Sequence, residues 1–461
     1  MSQNLFFKKE SEVTPANLGD AIQQAIEIEI ATIPVYLYTY YSINRSPDQD
    51  TISGSLVQEL VKSGRSVADA SAIALDLSAE IMVYANKSGA LIMSVVIEEM
   101  LHMALSSNLK QALAGLPDLV GKSPSVWPAA LPGHEPVFWI NKAGFSLKQL
   151  ETFLKIESPD PLADAGLLQA PIPYKTIGQF YDMIKECIAT NDLPYNTHSP
   201  QLLPGKGYYA QNNIDTVYYD KDHKPHFTNA EDSGDLLYVY DRDSALHAIT
   251  CIVDQGEGTK GVPGLNPAGS VDCTAIIPPD FDGKNKKELC HFEKFAQIYC
   301  HYKTLSNKFN SLDIGVVDIS KYFVTNVPLN PLTADYPANI APVSDLLNGI
   351  YTYLFVMVEN CYMKAGSTQF EIFMFGVHKS MIFILNSICG DIMKLTYTTP
   401  QGQVCAAMPT FEDYPFGLLS SPKSQLIDLY NTAVAVYPTI SYLGPRILDL
   451  PDVPLKIRGK F

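Results

Sequence analysis

Two Glu-x-x-His motifs stand out in the chain: Glu99-Met100-Leu101-His102 and Glu288-Leu289-Cys290-His291. Residues three apart on a helix share a face, so each motif, held in a helix, aims one carboxylate and one imidazole at a common point. Either pair alone occurs by chance in many helices. Two further acids complete an ordered set. Glu29 falls on a stripe with Ile22, Ile26 and Ile33, and Asp254 on a stripe with His247, Thr250 and Cys251. An ionised carboxylate on an apolar face is costly to bury unless something pairs it, and a metal ion does so. The order acid, Glu-x-x-His, acid, Glu-x-x-His is the ligand inventory of a dinuclear carboxylate site in a four-helix bundle. Hard carboxylates with one imidazole per metal suit two iron ions, with manganese as the alternative, and no thiolate spacing points to structural zinc. The expected metal ligands are Glu29, Glu99, His102, Asp254, Glu288 and His291. They leave coordination positions for dioxygen and a small substrate.

Other residues are weighed against this set. Asp254 is shorter than Glu by about one C–C bond, roughly 1.5 Å, and Glu257, three residues on, is its rival. His247 is a turn or two from Asp254 and would reach the pocket or pack in the core. Tyr36, seven residues after Glu29, would line the cavity or simply pack. Glu98 points about 100° away from Glu99 on a helix, so it is expected in solvent or behind the ligands. Glu359, Glu371 and His378 form no Glu-x-x-His and receive no metal. Asp220-Lys221-Asp222-His223 reads as a solvated loop. No G-x-S-x-G or Walker A pattern suggests a hydrolase or NTPase.

The elements that must position these groups are mainly helices. Apolar periodicity predicts a helix over 14–43, capped by Thr14 and Pro15 and kinked at Pro34, with an aromatic tail from Tyr36 to Tyr41. An interrupted helical stretch follows over 55–85, broken at Gly64. A long helix over 88–114 stops at Gly115 and Pro117. Residues 115–143, rich in Pro and Gly and carrying Trp127 and Trp139, read as a long loop. That loop and the aromatic tail are expected to wall a pocket for an aromatic or apolar substrate. Helices are predicted over 146–156, 176–190, 241–255 and 286–303. Further helices follow over 343–363, 368–396 and 422–436, and 191–238 reads as loops and short strands. The fold class expected is mainly α: a four-helix bundle over 14–303, with insertions at about 44–85 and 115–240. An additional C-terminal helical block over 304–461 packs on it.

Composition narrows the function classes. The chain has 461 residues and a formal net charge of −16, which argues against a phosphate-backbone binder and against docking on anionic membranes. Eight cysteines without a C-x-x-C pair suggest free thiols in a reducing compartment. No apolar signal segment is visible in Met1 to Val13 and no long uncharged apolar run follows, so the expected location is cytoplasmic, with no membrane span.

At the same residues the sequence resembles a known family. The runs Ala25-Ile-Glu-Ile-Glu29-Ile-Ala-Thr-Ile-Pro34 and Val95-Val-Ile-Glu-Glu99-Met-Leu-His102, with Thr176-Ile-Gly-Gln-Phe-Tyr-Asp182, Ile252-Val-Asp-Gln-Gly-Glu-Gly258 and Glu288-Leu-Cys-His-Phe-Glu-Lys-Phe295, carry the likeness. They resemble the ferritin-like domain of violacein-type iminophenyl-pyruvate dimer synthase proteins, over about residues 16–300. The resemblance implies a ferritin-like bundle and a role in specialised small-molecule metabolism. It supports Glu29, Glu99, His102, Glu288 and His291 as ligands, and it places Asp254 where a Glu is expected.

The reading that follows is a non-haem di-iron oxidoreductase that activates dioxygen and oxidises a small organic substrate, with an electron donor as a possible partner. A ferroxidase or metal-storage protein is the first alternative. A structural bundle with a dead site is the second.

Overall fold

The computed structural model describes residues 13–159, 173–202, 236–256, 271–276, 289–312, 314 and 318–456. The chain is mostly helical, as the sequence predicts. Helix α1 (Leu18–Ser42) continues through Pro34 and buries nearly all of its length. Helix α2 (Gln49–Lys62) starts at Asp48, whose side chain accepts the Thr51 N–H. Gly64, with φ +95°, turns the chain where a side chain would be strained. Helix α3 then runs unbroken from Val67 to Leu113. Its start at 67 rather than 88 corrects the expected helix boundary: about half of the 44–85 stretch belongs to the helix that carries Glu99. The periodicity there is blurred because α2 and α1 both pack on α3, so apolar residues are needed on more than one face.

Helices α4 (Leu147–Ile156) and α5 (Ile177–Thr190) begin at Ser146 and Thr176, whose hydroxyls accept backbone N–H groups. Helix α6 (Arg242–Gln255) starts with a capping box of Asp241 and Ser244. Helix α7 (His291–Ser311) starts at His291, five residues later than expected. Around α1 and α3 pack α5, α6 and α7, and α4 packs on α7. The His291 N–H donates to the Gly256 carbonyl at 2.9 Å, so the end of α6 and the start of α7 meet at one point.

The C-terminal helices are α8 (Ala341–Met363), α9 (Gly366–Ile392) and α10 (Pro422–Val436). Within α9, Ile372–His378 and Ser380–Leu385 are π-helical. The Gln111 amide donates to the Tyr362 carbonyl, and the Tyr362 hydroxyl lies 3.1 Å from Asn108 Oδ1, tying α8 to α3. Glu359 is buried and accepts the N–H groups of Leu119 and Val120, which accounts for this acid without a metal. Two short antiparallel pairs are also present: β1 (Ala129–Ala130) with β2 (Trp139–Ile140), and β3 (Thr396–Thr398) with β4 (Val404–Ala406).

Two expectations change. Cys273 and Cys300 of α7 form a disulfide, so the cysteines are not all free thiols. The partners are 27 residues apart, a spacing with no short motif to flag it. Cys187, Cys290, Cys361, Cys389 and Cys405 are free thiols. In addition, α3, α8 and α9 are long and apolar enough to cross a membrane by length and composition. The most apolar stretches of α3 and α8 are 94% and 83% buried inside the fold, and that of α9 is 56% buried. In α3 and α8 this apolarity serves mainly to pack helices on both sides.

Lys142 joins the loop after α3 to the C-terminal region. Its Nζ donates to the carbonyls of Pro331 (2.9 Å) and Thr410 (2.6 Å) and sits 5.0 Å from the Trp127 ring centre. Trp127 therefore serves a structural contact and Trp139 is 57% exposed, so neither walls the site expected from the sequence. Burial pushes the Lys142 pKa down to about 7, against the pull of Glu412 and Asp335. The unfolded chain keeps this proton up to about pH 10.4. Between the two values the unfolded state binds more protons, so stability rises with pH across that window, by about 4 kcal/mol at most. Urea unfolding at pH 7 and pH 9.5 is expected to show this rise, and Lys142→Met is expected to flatten it.

Candidate metal centre

Glu29, Glu99, His102 and His291 come together inside the bundle and are all buried. Ligand atoms of Glu99, His102 and His291 lie within 4.8 Å of one another, close enough to hold one metal ion. The cluster depends on three helices. Helix α3 carries Glu99 and His102 one turn apart, α1 brings Glu29 against them, and the first residue of α7 is His291. The rings of His102 and His291 stack with centroids 5.2 Å apart.

A further carboxylate enters the site where the sequence reading did not look. Glu157, the C-cap residue of α4, is buried, and its Oε2 lies 3.5 Å from His291 Nδ1. A signal was present. Leu150, Phe153, Leu154 and Glu157 follow the helical i, i+3, i+4, i+7 pattern, so Glu157 occupies a core position on an amphipathic helix. The Tyr36 hydroxyl donates to Glu157, and the Tyr36 ring packs edge-on to Phe153 at 4.8 Å. Tyr36 thus positions a carboxylate and packs in the core at the same time.

The structure does not bring Asp254 to the cluster. The buried stripe of α6 is Ala245, Ala248, Ile249, Ile252 and Gln255, one residue round from the stripe expected. One residue is about 100° of helix rotation. Asp254 and His247 consequently lie on the exposed side. Gln255 faces inward, with Oε1 3.1 Å from His102 Nε2. Cys251 and Thr250 made the wrong face look apolar. Glu257, Glu288 and the 220–223 run lie outside the described residues. The expected face-sharing of Glu288 and His291 would require a helix through both, whereas α7 begins at His291.

Hydrogen bonds orient the donors. Thr32 Oγ1 donates to Glu99 Oε2 at 3.1 Å, and the Tyr181 hydroxyl donates to Glu29 Oε1 at 2.7 Å. Ser106, 3.0 Å from that hydroxyl, donates to it in turn. A proton on His102 Nε2, facing the Gln255 oxygen, leaves Nδ1 as its ligating atom. His291 instead sits between two carboxylates. Its Nε2 lies 2.9 Å from Glu98 Oε2, while Nδ1 lies 3.0 Å from Glu99 Oε1. Glu98 is buried rather than solvated, and Lys294 Nζ sits 2.5 Å from both of its oxygens.

The electrostatics are those of crowded acids. Burial and the neighbouring Glu99 push the Glu29 carboxyl well above its usual range. Burial would also raise Glu99, but the contacts from Glu29 and His291 outweigh it and bring its pKa to about 2. Burial raises Glu157, partly opposed by His291. Burial and His291 lower His102 to about 4. Burial would lower His291, yet Glu157, Glu98 and Glu99 hold it well above the ordinary imidazole value. Both ring nitrogens of His291 lack aligned hydrogen-bond partners despite these close carboxylates. Buried carboxylates crowded around two imidazoles, with the nitrogens of His291 lacking aligned hydrogen bonds, form a donor set that fits a transition-metal cation.

A family model described as ferritin-like matches residues 22–300. A 2-imino-3-(indol-3-yl)propanoate dimerase of Chromobacterium violaceum is 27% identical over 248 residues, covering 53% of this chain and 21% of that protein. The chain thus spans about a fifth of the length of that relative. The crystal structure of a ferritin like protein from Caulobacter vibrioides, at 1.95 Å resolution, has 18% identity and a TM-score of 0.42, covering 80% of this chain and 95% of that one. The likeness noted in the sequence is borne out at the level of the family, and the chain belongs to the ferritin-like family.

Proposed function

We propose that the protein is a non-haem di-iron oxidoreductase, with manganese as the alternative metal, that uses dioxygen to oxidise a small aromatic or apolar organic molecule. The observation that carries this reading is the buried Glu99–His102–His291 cluster with Glu29 and Glu157 beside it. The similarity to an enzyme named for an indole-bearing imino acid supports an aromatic substrate in specialised metabolism.

Glu29, Glu99, His102, Glu157 and His291 would hold the metal. Bound there, iron would supply the dioxygen and redox chemistry that no side chain provides. The chain's own groups do the rest. Thr32, Tyr181 and Tyr36 fix carboxylate orientation by donating to Glu99, Glu29 and Glu157. Gln255 and Glu98 fix the two imidazoles. Burial of every donor keeps bulk water away from the reacting centre.

Metal analysis joined to a dioxygen-uptake assay tests the proposal. About two iron or manganese ions per chain are expected on reconstitution, with uptake that depends on an aromatic imino acid or related substrate. Protein that remains metal-free would overturn the reading. Uptake driven by ferrous ion alone, with no organic substrate oxidised, would favour a ferroxidase instead.

A further inference from the structure

Residues of α1, α3, α8 and α9 line a cavity beside the face of α3 that carries Glu99 and His102. Met100 and Met103 flank Glu99 and His102 along the same turns of α3, so the metal donors and the cavity wall occupy neighbouring faces of one helix. Met93, Met100 and Met103 line it from α3, and Val377, Met381 and Leu385 from α9. The centre of a water-sized molecule can range over about 50 Å³ inside.

The lining offers such a water almost nothing to bind. Its two tyrosines are engaged elsewhere: the Tyr41 hydroxyl donates to Asn386 Oδ1 at 3.0 Å, and the Tyr351 hydroxyl accepts from Ser123 Oγ at 3.1 Å. Apolar cavities of this kind stay dry and accept apolar guests. Loose docking of α9 does not account for the space. At Gly376 an added Cβ would come within 2.6 Å of Met357 Sδ, so the neighbouring face of α9 is tightly packed. The cavity wall of α9 is also the π-helical stretch, a rare conformation that recurs at functional sites. Flexible methionines let such a wall adapt to a guest.

We propose that this cavity is a binding site for a small neutral apolar molecule, a single aromatic ring without hydrogen-bonding groups. A hydroxyl or charge on the ring would be buried with no partner, which the site would reject. The inference rests on the lining of the cavity and not on the metal reading.

Titration of the full chain with toluene and with phenol, followed by ligand-detected NMR and thermal unfolding, tests it. Toluene is expected to bind saturably and raise the unfolding midpoint, with phenol at least about tenfold weaker. Val377→Phe, which fills the space, is expected to weaken toluene binding at least about tenfold. Leu385→Ala, which enlarges it, is expected to keep toluene binding and admit a larger ring such as naphthalene. Non-saturable toluene binding, or equal affinity for toluene and phenol, would overturn the proposal. So would unchanged binding in folded Val377→Phe. If that variant does not fold, the toluene–phenol ratio and Leu385→Ala decide the question.

Discussion

Replacing Glu157 with Gln is expected to weaken iron binding by at least about 100-fold, while Asp254→Asn leaves it unchanged. Loss of a group that merely orients a ligand costs about 10- to 100-fold in metal affinity, and Glu157 is placed to bind directly. Its Oε2 lies 3.5 Å from His291 Nδ1, beside the cluster. Asp254 lies on the exposed face of α6. The two variants therefore separate the structural assignment of the site from the one that spacing alone suggests. Unfolding does not provide an alternative explanation for Glu157→Gln. Burial already raises the Glu157 carboxyl, so a neutral amide removes a costly charge, and the metal-free variant is expected to unfold at or above the wild-type midpoint. Equilibrium metal titration and thermal unfolding of both variants check these outcomes. Equal loss of iron from both would sink the assignment.

What was legible in the sequence follows from how each residue is constrained. Glu99 and His102 sit inside a long helix, where three-residue spacing fixes their common direction, so reading them from sequence worked. Glu29 was legible because its stripe of isoleucines is strongly apolar. Asp254 failed because α6 carries small or ambivalent residues on two faces, and a rotation of one residue moves the acid from core to solvent. Glu157 was missed because it caps a short helix in a region read as an insertion, although its position on the apolar stripe was visible. For Glu98 the sequence left solvent or a place behind the ligands open, and the structure takes the second. A charge 100° from the ligand face is expected in solvent unless a partner arrives from a distant segment, and Lys294 does so across 196 residues. The cavity beside α3 was beyond sequence reading altogether. It arises where the faces of four helices meet, and none of them shows the gap by itself.

The Glu98–Lys294 pair leads to the second large expected effect: Lys294→Met should destabilise the fold by about 3–5 kcal/mol. Both side chains are buried, at 6% and 3% exposure, with Nζ 2.5 Å from each carboxylate oxygen. Removing one member of such a pair leaves an uncompensated buried charge, and that accounts for a loss of this size. Burial would raise the Glu98 carboxyl, but Lys294 and His291 hold it below its ordinary value, so the charged form is the one that the single variant strands. Replacing both residues, Glu98→Gln with Lys294→Met, removes the stranded charge and is expected to recover a large part of the stability. Metal affinity should not recover with it. The double variant has lost the carboxylate beside His291 Nε2, and a drop of about 10- to 100-fold is expected for an imidazole no longer held in its ligating orientation. Urea unfolding and metal titration across the four proteins of this cycle separate the two roles. If stability and metal affinity were restored together, Glu98 would be a structural counter-charge only. If stability returned while affinity stayed low, the pair would set the direction in which His291 presents Nδ1.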